Sequence, residues 1–94
     1  SGLRFEILNA FVDGGMAGLS RAELAVWLAL YRDTKPDVTA RASLADLARR
    51  GGMDRQTAAR AVGRLERRKM LKRLSRGGLN RGPSVYQVFP YPMG

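Results

Sequence analysis

The sequence predicts a mainly α-helical domain with a small β-hairpin, and three observations carry that prediction. Apolar residues recur at helical spacing in the first two thirds of the chain. A glycine pair, Gly51-Gly52, separates a short helical segment from a longer basic one. Near the C-terminus, two short alternating stretches flank the glycine-rich run SRGGLNRGP, the pattern of a hairpin. With 94 residues and 45% hydrophobic content, the chain is expected to form one compact domain over residues 1–94 with a real core.

In chain order, RFEILNAFVD places Phe5, Leu8 and Val12 with Ile7 and Phe11 at helical spacing, predicting a first helix over 4–13 that Gly14-Gly15 interrupts. Ser20 and Glu23 form a capping box, each able to satisfy an early backbone N–H. The second helix then covers about 21–32, with Leu24, Trp27, Leu28 and Tyr31 as its apolar stripe. Pro36 ends this helical stretch, because it cannot continue a helix and restricts the residue before it. A short strand is expected at 38–41. Ser43 caps a third helix over 44–50, with Leu44, Leu47 and Ala48 turned inward. Gly51-Gly52 gives the permissive backbone of a sharp turn. Asp54 caps a fourth helix over about 55–68, its charge well placed at a helix N-terminus. Strands are predicted at 70–74 and 84–89. Phe5, Phe11, Trp27 and Tyr31 are read as core, and the face of Tyr86 stays open.

A short helix, a tight glycine turn and a longer basic helix over 43–68 make a helix-turn-helix signature. The hairpin over 70–89 is then a wing, so the predicted architecture is a winged helix-turn-helix of about four helices and a two- or three-stranded sheet. Charge supports a polyanion-binding role. Lys plus Arg is 17 and Asp plus Glu is 8, a net +9. Residues 1–40 carry four basic and five acidic groups, net −1, while residues 41–94 carry thirteen and three, net +10. A neutral half joined to a basic half suggests a scaffold bearing a binding surface for nucleic acid. Fourteen of the 17 basic residues are Arg, whose planar fork matches phosphate and guanine edges.

Residues 19–88, from LSRAELAVWLALYRD through LADLARRGGMDRQTAARAVGRLERRKMLKRL to GPSVYQV, resemble the winged helix-turn-helix domains of plasmid and phage replication initiators and of MarR-like regulators. The matching positions are Leu47-Ala48, Gly52 to Thr57, Arg60, Val62, Leu65-Glu66, Lys69 and Leu71. Lys69 stands where that pattern usually has Gly. The resemblance implies DNA binding for transcription regulation, replication or recombination, and it does not choose among them.

At 100° per residue, Ala58, Ala61, Val62 and Leu65 fall within one band of the fourth helix about 100° wide, which should face the core. Opposite them lie Gln56, Arg60, Gly63 and Arg67, with Arg55 and Ala59 flanking one side and Thr57, Arg64 and Arg68 the other. The N-terminal part of such a helix reads base edges. Gln56 suits adenine, Arg60 and Arg55 suit guanine, and Ala59 suits a thymine methyl; Thr57 and Arg64 are expected on phosphates. Ala59 and Gly63 would let the backbone approach the groove closely. Arg41, Ser43, Arg49 and Arg50 flank the third helix, which crosses the backbone in this motif. In the wing, Lys72, Arg73, Arg76, Gly77, Gly78, Asn80 and Arg81 are expected to lie along phosphates or enter a minor groove.

Other functions fit the sequence less well. There is no His and no Cys, so the common nucleophile–base pairs, Cys/His zinc sites and disulfides are excluded, and neither an enzyme nor a cofactor or metal is expected. Asp46, Asp54 and Glu66 have simpler roles as a first-turn acid, a cap and an ion-pair partner. No apolar run approaches the roughly 18 residues of a membrane span, and the expected location is the cytoplasm, at the nucleoid. The rival readings are a winged-helix protein-interaction module and a shape-specific binder of RNA or DNA. The expected partner is double-stranded DNA. The chain is expected to be a monomer that self-associates on repeated sites or docks a partner protein through its N-terminal helix.

Overall fold

A computed structural model describes residues 2–37, 39–75 and 83–93. The elements run α1 (Gly2–Ala10), α2 (Arg21–Arg32), β1 (Thr39–Ala42), α3 (Leu44–Gly51), α4 (Arg55–Arg67), β2 (Leu71–Ser75) and β3 (Ser84–Val88). The three strands form one antiparallel sheet in the order β1-β3-β2. Four helices and a small sheet in this order make the winged helix-turn-helix the sequence predicts.

Local chemistry sets the helix starts. The Ser20 side chain accepts the Glu23 N–H and the Glu23 Oε1 accepts the Ser20 N–H at 2.8 Å, completing the capping box of α2. Ser43 accepts the Asp46 N–H at 3.1 Å to cap α3, and Asp54 accepts the Thr57 N–H at 2.7 Å to cap α4. Gly52 takes φ +66° in the turn between α3 and α4, a conformation glycine adopts at little cost.

Helix α2 is the centre of the domain, packed against α3, α4, β1 and β3. Its buried residues are Glu23, Val26, Trp27, Leu30 and Tyr31. The expected stripe is thus rotated: Leu28 is exposed and Leu24 half-buried, because neighbours cover α2 on several sides and draw in Val26 and Leu30. The inner face of the sheet contributes Ala40, Ala42, Leu71, Tyr86 and Val88, which settles the face of Tyr86.

The first helix differs most from expectation. It begins at Gly2, and Gly14-Gly15 does not break it. The coil widens into a π turn over Phe11–Gly15 and then tightens into a 3₁₀ turn over Met16–Gly18. Gly15 is needed for packing: a Cβ there would stand 2.3 Å from the Pro90 carbonyl oxygen and 2.5 Å from the Met70 methyl. Phe11 is fully buried and stacks on Trp27, with ring centroids 3.6 Å apart. Trp27 stacks in turn on Tyr31 and donates its indole N–H to the Phe89 carbonyl at 2.9 Å. Phe5 is not core; it is 66% exposed. It sits about 120° round the helix from Phe11, whose side faces α2.

Candidate nucleic-acid interface

Helices α3 and α4 meet through a turn of three residues, with the Met53 N–H donating to the Ala48 carbonyl at 3.0 Å. Helix α4 buries Ala58, Ala61, Val62 and Leu65, the set that its helical phase predicts. Two of these are alanines, so α4 sits close to α2 and α3. Its opposite side is open: Arg55, Gln56, Ala59, Arg60, Arg64 and Arg67 are exposed, and Thr57 is half-buried beside the cap. None of these arginines forms an ion pair among the described residues. Gly63 is half-buried, and the Arg67 guanidinium lies 3.6 Å from where its Cβ would be, so Arg67 covers that gap in the helix face.

The Asp54 carboxyl is held below its ordinary pKa of 3.8 by hydrogen bonds from Thr57, the side chain first and then the backbone N–H, with a smaller contribution from the field of Arg60. The cap is therefore charged at neutral pH, at the end of α4 where the helix dipole favours a negative group.

Other predicted basic residues are held by acids of their own chain. Arg49 pairs with Asp46 while most of its side chain stays in solvent. Arg50 lies 2.7 Å from Asp33 and 2.8 Å from Asp46 and is largely covered. Contact with Asp33 raises the Arg50 pKa above the ordinary arginine value, against a smaller opposing effect of burial. Arg73 approaches Glu66 at 3.3 Å, giving Glu66 its expected partner, and its guanidinium stands over the Tyr86 ring at 5.7 Å. Lys72 and Arg41 are exposed on β2 and β1, and the Ser43 oxygen is engaged in the cap of α3. Arg76, Gly77, Gly78, Asn80 and Arg81 of the expected wing tip lie outside the described residues.

Four pairings escape the sequence reading, two of them, Asp46–Arg49 and Asp46–Arg50, within α3. Glu23, recognised there as a cap alone, also faces Arg68 across 3.5 Å, and Asp33 holds Arg50. The Asp46–Arg50 contact could have been read from its i,i+4 spacing; the pairs to α2 join segments distant in sequence and have no such signal.

At Lys69, where the resembled pattern carries Gly, the backbone takes φ +65°. The glycine conformation is kept although the glycine is absent. From there the chain enters β2, with the Phe89 N–H donating to the Met70 carbonyl and the Met93 N–H to the Lys69 carbonyl, each at 3.0 Å.

A tight turn between two helices, an unpaired arginine face on the second and a small sheet behind them define a winged helix-turn-helix of the DNA-binding class. The MarR family model matches residues 17–78, about two thirds of the chain, and the chain belongs to the MarR family. Members of this family are DNA-binding transcriptional regulators rather than enzymes. The match supports the MarR-like part of the resemblance and does not extend to replication initiators. No curated protein and no solved structure matches the chain. No helix among the described residues is long and apolar enough to cross a membrane.

Proposed function

We propose that this chain regulates transcription by reading a specific double-stranded DNA sequence with α4 in the major groove. The observation that carries this reading is the division of the arginines. Arg50, Arg68 and Arg73 are taken up by Asp33, Asp46, Glu23 and Glu66, while Arg55, Arg60, Arg64 and Arg67 project from one helix and form no ion pair among the described residues. Four such cations on a face built over small side chains suit a surface that must approach phosphates and base edges. In this reading Arg55, Gln56 and Arg60 contact bases and Ala59 meets a thymine methyl. Thr57, Arg64 and Arg67 hold the backbone, with Arg41, Lys72 and the wing arginines Arg76 and Arg81 adding phosphate contacts.

Fluorescence anisotropy on selected and random duplexes, titrated over a range of salt, tests it. Log affinity should fall with log salt at about 0.9 per neutralised phosphate. Arg60→Ala should cost about 1–3 kcal/mol on the selected duplex and relax the preference at one base position. Unchanged affinity and unchanged preference in Arg60→Ala would remove α4 from the role of reader.

A further inference from the structure

Helix α2 carries an acid at each end, and each acid holds an arginine from the end of a helix in the helix-turn-helix. At its N-terminal end, Glu23 is 1% exposed, and its Oε1 serves the capping box. Its Oε2 is buried and accepts no hydrogen bond among the described residues; the Arg68 Nε lies 3.5 Å from it. Arg68 is the C-cap of α4, and its guanidinium runs along Gly18, 3.2 Å from where a Cβ would stand. At the other end, Asp33 is the C-cap of α2 and meets Arg50 in the last turn of α3. An acid at a helix C-terminus opposes the helix dipole, so its own helix does not favour Asp33; the guanidinium of Arg50 does.

These contacts bear on where α4 sits, because two of its four buried residues are alanines. Helix α4 rests on α2 and α3 partly through Ala58 and Ala61, which interlock less deeply than larger side chains. Its thirteen residues span about 20 Å, so a small tilt at the Arg68 end displaces the tip holding Arg55 and Gln56. We propose that Glu23 and Asp33 are positioning residues for DNA recognition, each fixing one helix of the helix-turn-helix through Arg68 or Arg50, and that these two arginines serve the acids of α2 rather than phosphate, Arg68 from a partly exposed position. The proposal rests on the DNA-reading role argued above.

The sign of the effect separates this from simple electrostatics. Removing an acid makes the chain more basic, and by charge alone Glu23→Gln and Asp33→Asn should bind DNA more tightly. Positioning predicts the reverse for the selected duplex. Glu23→Gln keeps an oxygen for the Ser20 N–H, so the cap survives. The experiment is the same anisotropy titration on selected and random duplexes, with thermal unfolding measured for each variant. Discrimination between the duplexes should fall about tenfold in Glu23→Gln and in Arg68→Ala, with no further loss in the double variant. It should fall about threefold in Asp33→Asn, because Asp46 still faces Arg50. The salt slope should stay at the wild-type value in all of them, and Arg68→Lys should recover discrimination.

Tighter or unchanged specific binding by the two acid variants would overturn the proposal. So would a salt slope lowered by about 0.9 in Arg68→Ala, which would make Arg68 a phosphate contact. Should Glu23→Gln fail to fold, Asp33→Asn and Arg68→Ala decide the matter by the same two readouts. A wild-type chain with no sequence preference would overturn the DNA-reading role itself, and that arm is read before any variant.

Discussion

Helix α4 is held by α2, α3 and β2, whereas α1 meets the rest of the domain along one side. The two are secured by different means. Helix α4 presses four side chains, all small or of moderate size, into the core and keeps its charges outside. Helix α1 itself has no fully buried residue. It is clasped at one end, where the Arg4 guanidinium donates to the Tyr31 and Thr34 carbonyls at 3.1 and 3.0 Å and lies over the Tyr31 ring. The Tyr31 hydroxyl donates back to the Arg4 carbonyl. At the other end it runs into Phe11, stacked on Trp27. A helix that turns one continuous face to three neighbours is held along its length, with a contact such as Arg68–Glu23 setting its end; a helix with no fully buried residue depends on a few contacts at its ends.

The sharpest test of that contrast compares two phenylalanines six residues apart. Phe11→Ala removes a fully buried ring from the aromatic stack and should cost about 4 kcal/mol. Phe5→Ala removes a ring that lies mostly in solvent and should change stability by no more than about 0.5 kcal/mol. Denaturant unfolding followed by Trp27 fluorescence measures both. Equal losses would mean that α1 is buried on both sides in solution and that the contrast with α4 is wrong.

The same contrast explains which parts of the molecule are legible in the sequence. Ala58, Ala61, Val62 and Leu65 follow from period alone because α4 turns a single face to the core. Ser20, Ser43 and Asp54 follow because capping is a local matter, and Gly52 because its turn needs a left-handed residue. Phe5 and Leu28 mislead because apolar spacing marks a face able to be buried without saying which neighbour is there to cover it. Val26 and Leu30 are missed for the complementary reason, since α2 is covered on more than one side. Within the candidate site, the exposed arginines of α4 are read from the phase of that helix. The division between paired and unpaired arginines is not, because Glu23–Arg68 and Asp33–Arg50 exist only after α2 has docked.

The exit from α4 offers a smaller test in the opposite direction. Lys69 holds φ +65° at an exposed position, and a residue with a Cβ pays about 1–2 kcal/mol in the left-handed region, which glycine escapes. Part of that advantage is offset by the extra freedom glycine gains in the unfolded chain. Lys69→Gly is therefore expected to stabilise the domain by about 1 kcal/mol, seen as a rise in the midpoint of thermal unfolding. A loss would show that the lysine side chain makes contacts worth more than the backbone strain it causes.

The smallest effect concerns the entry to α4 and is visible only through pH. Hydrogen bonds from Thr57 hold the Asp54 pKa below 3.8, its value in the unfolded chain. A carboxyl whose folded pKa is depressed stabilises the folded state above the unfolded value, and that contribution is lost as the pH falls through the folded value. Asp54→Asn keeps a good capping side chain that cannot titrate. Asp37, which Thr39 holds below its ordinary pKa in the same way, titrates in both proteins and cancels in the comparison. Wild type should thus be the more stable at neutral pH, and the difference should shrink below pH 3.8 until it vanishes in strong acid. A difference that stays constant across that range would assign the role of Asp54 to its shape and hydrogen bonds alone, leaving its charge at the end of α4 without effect on the fold.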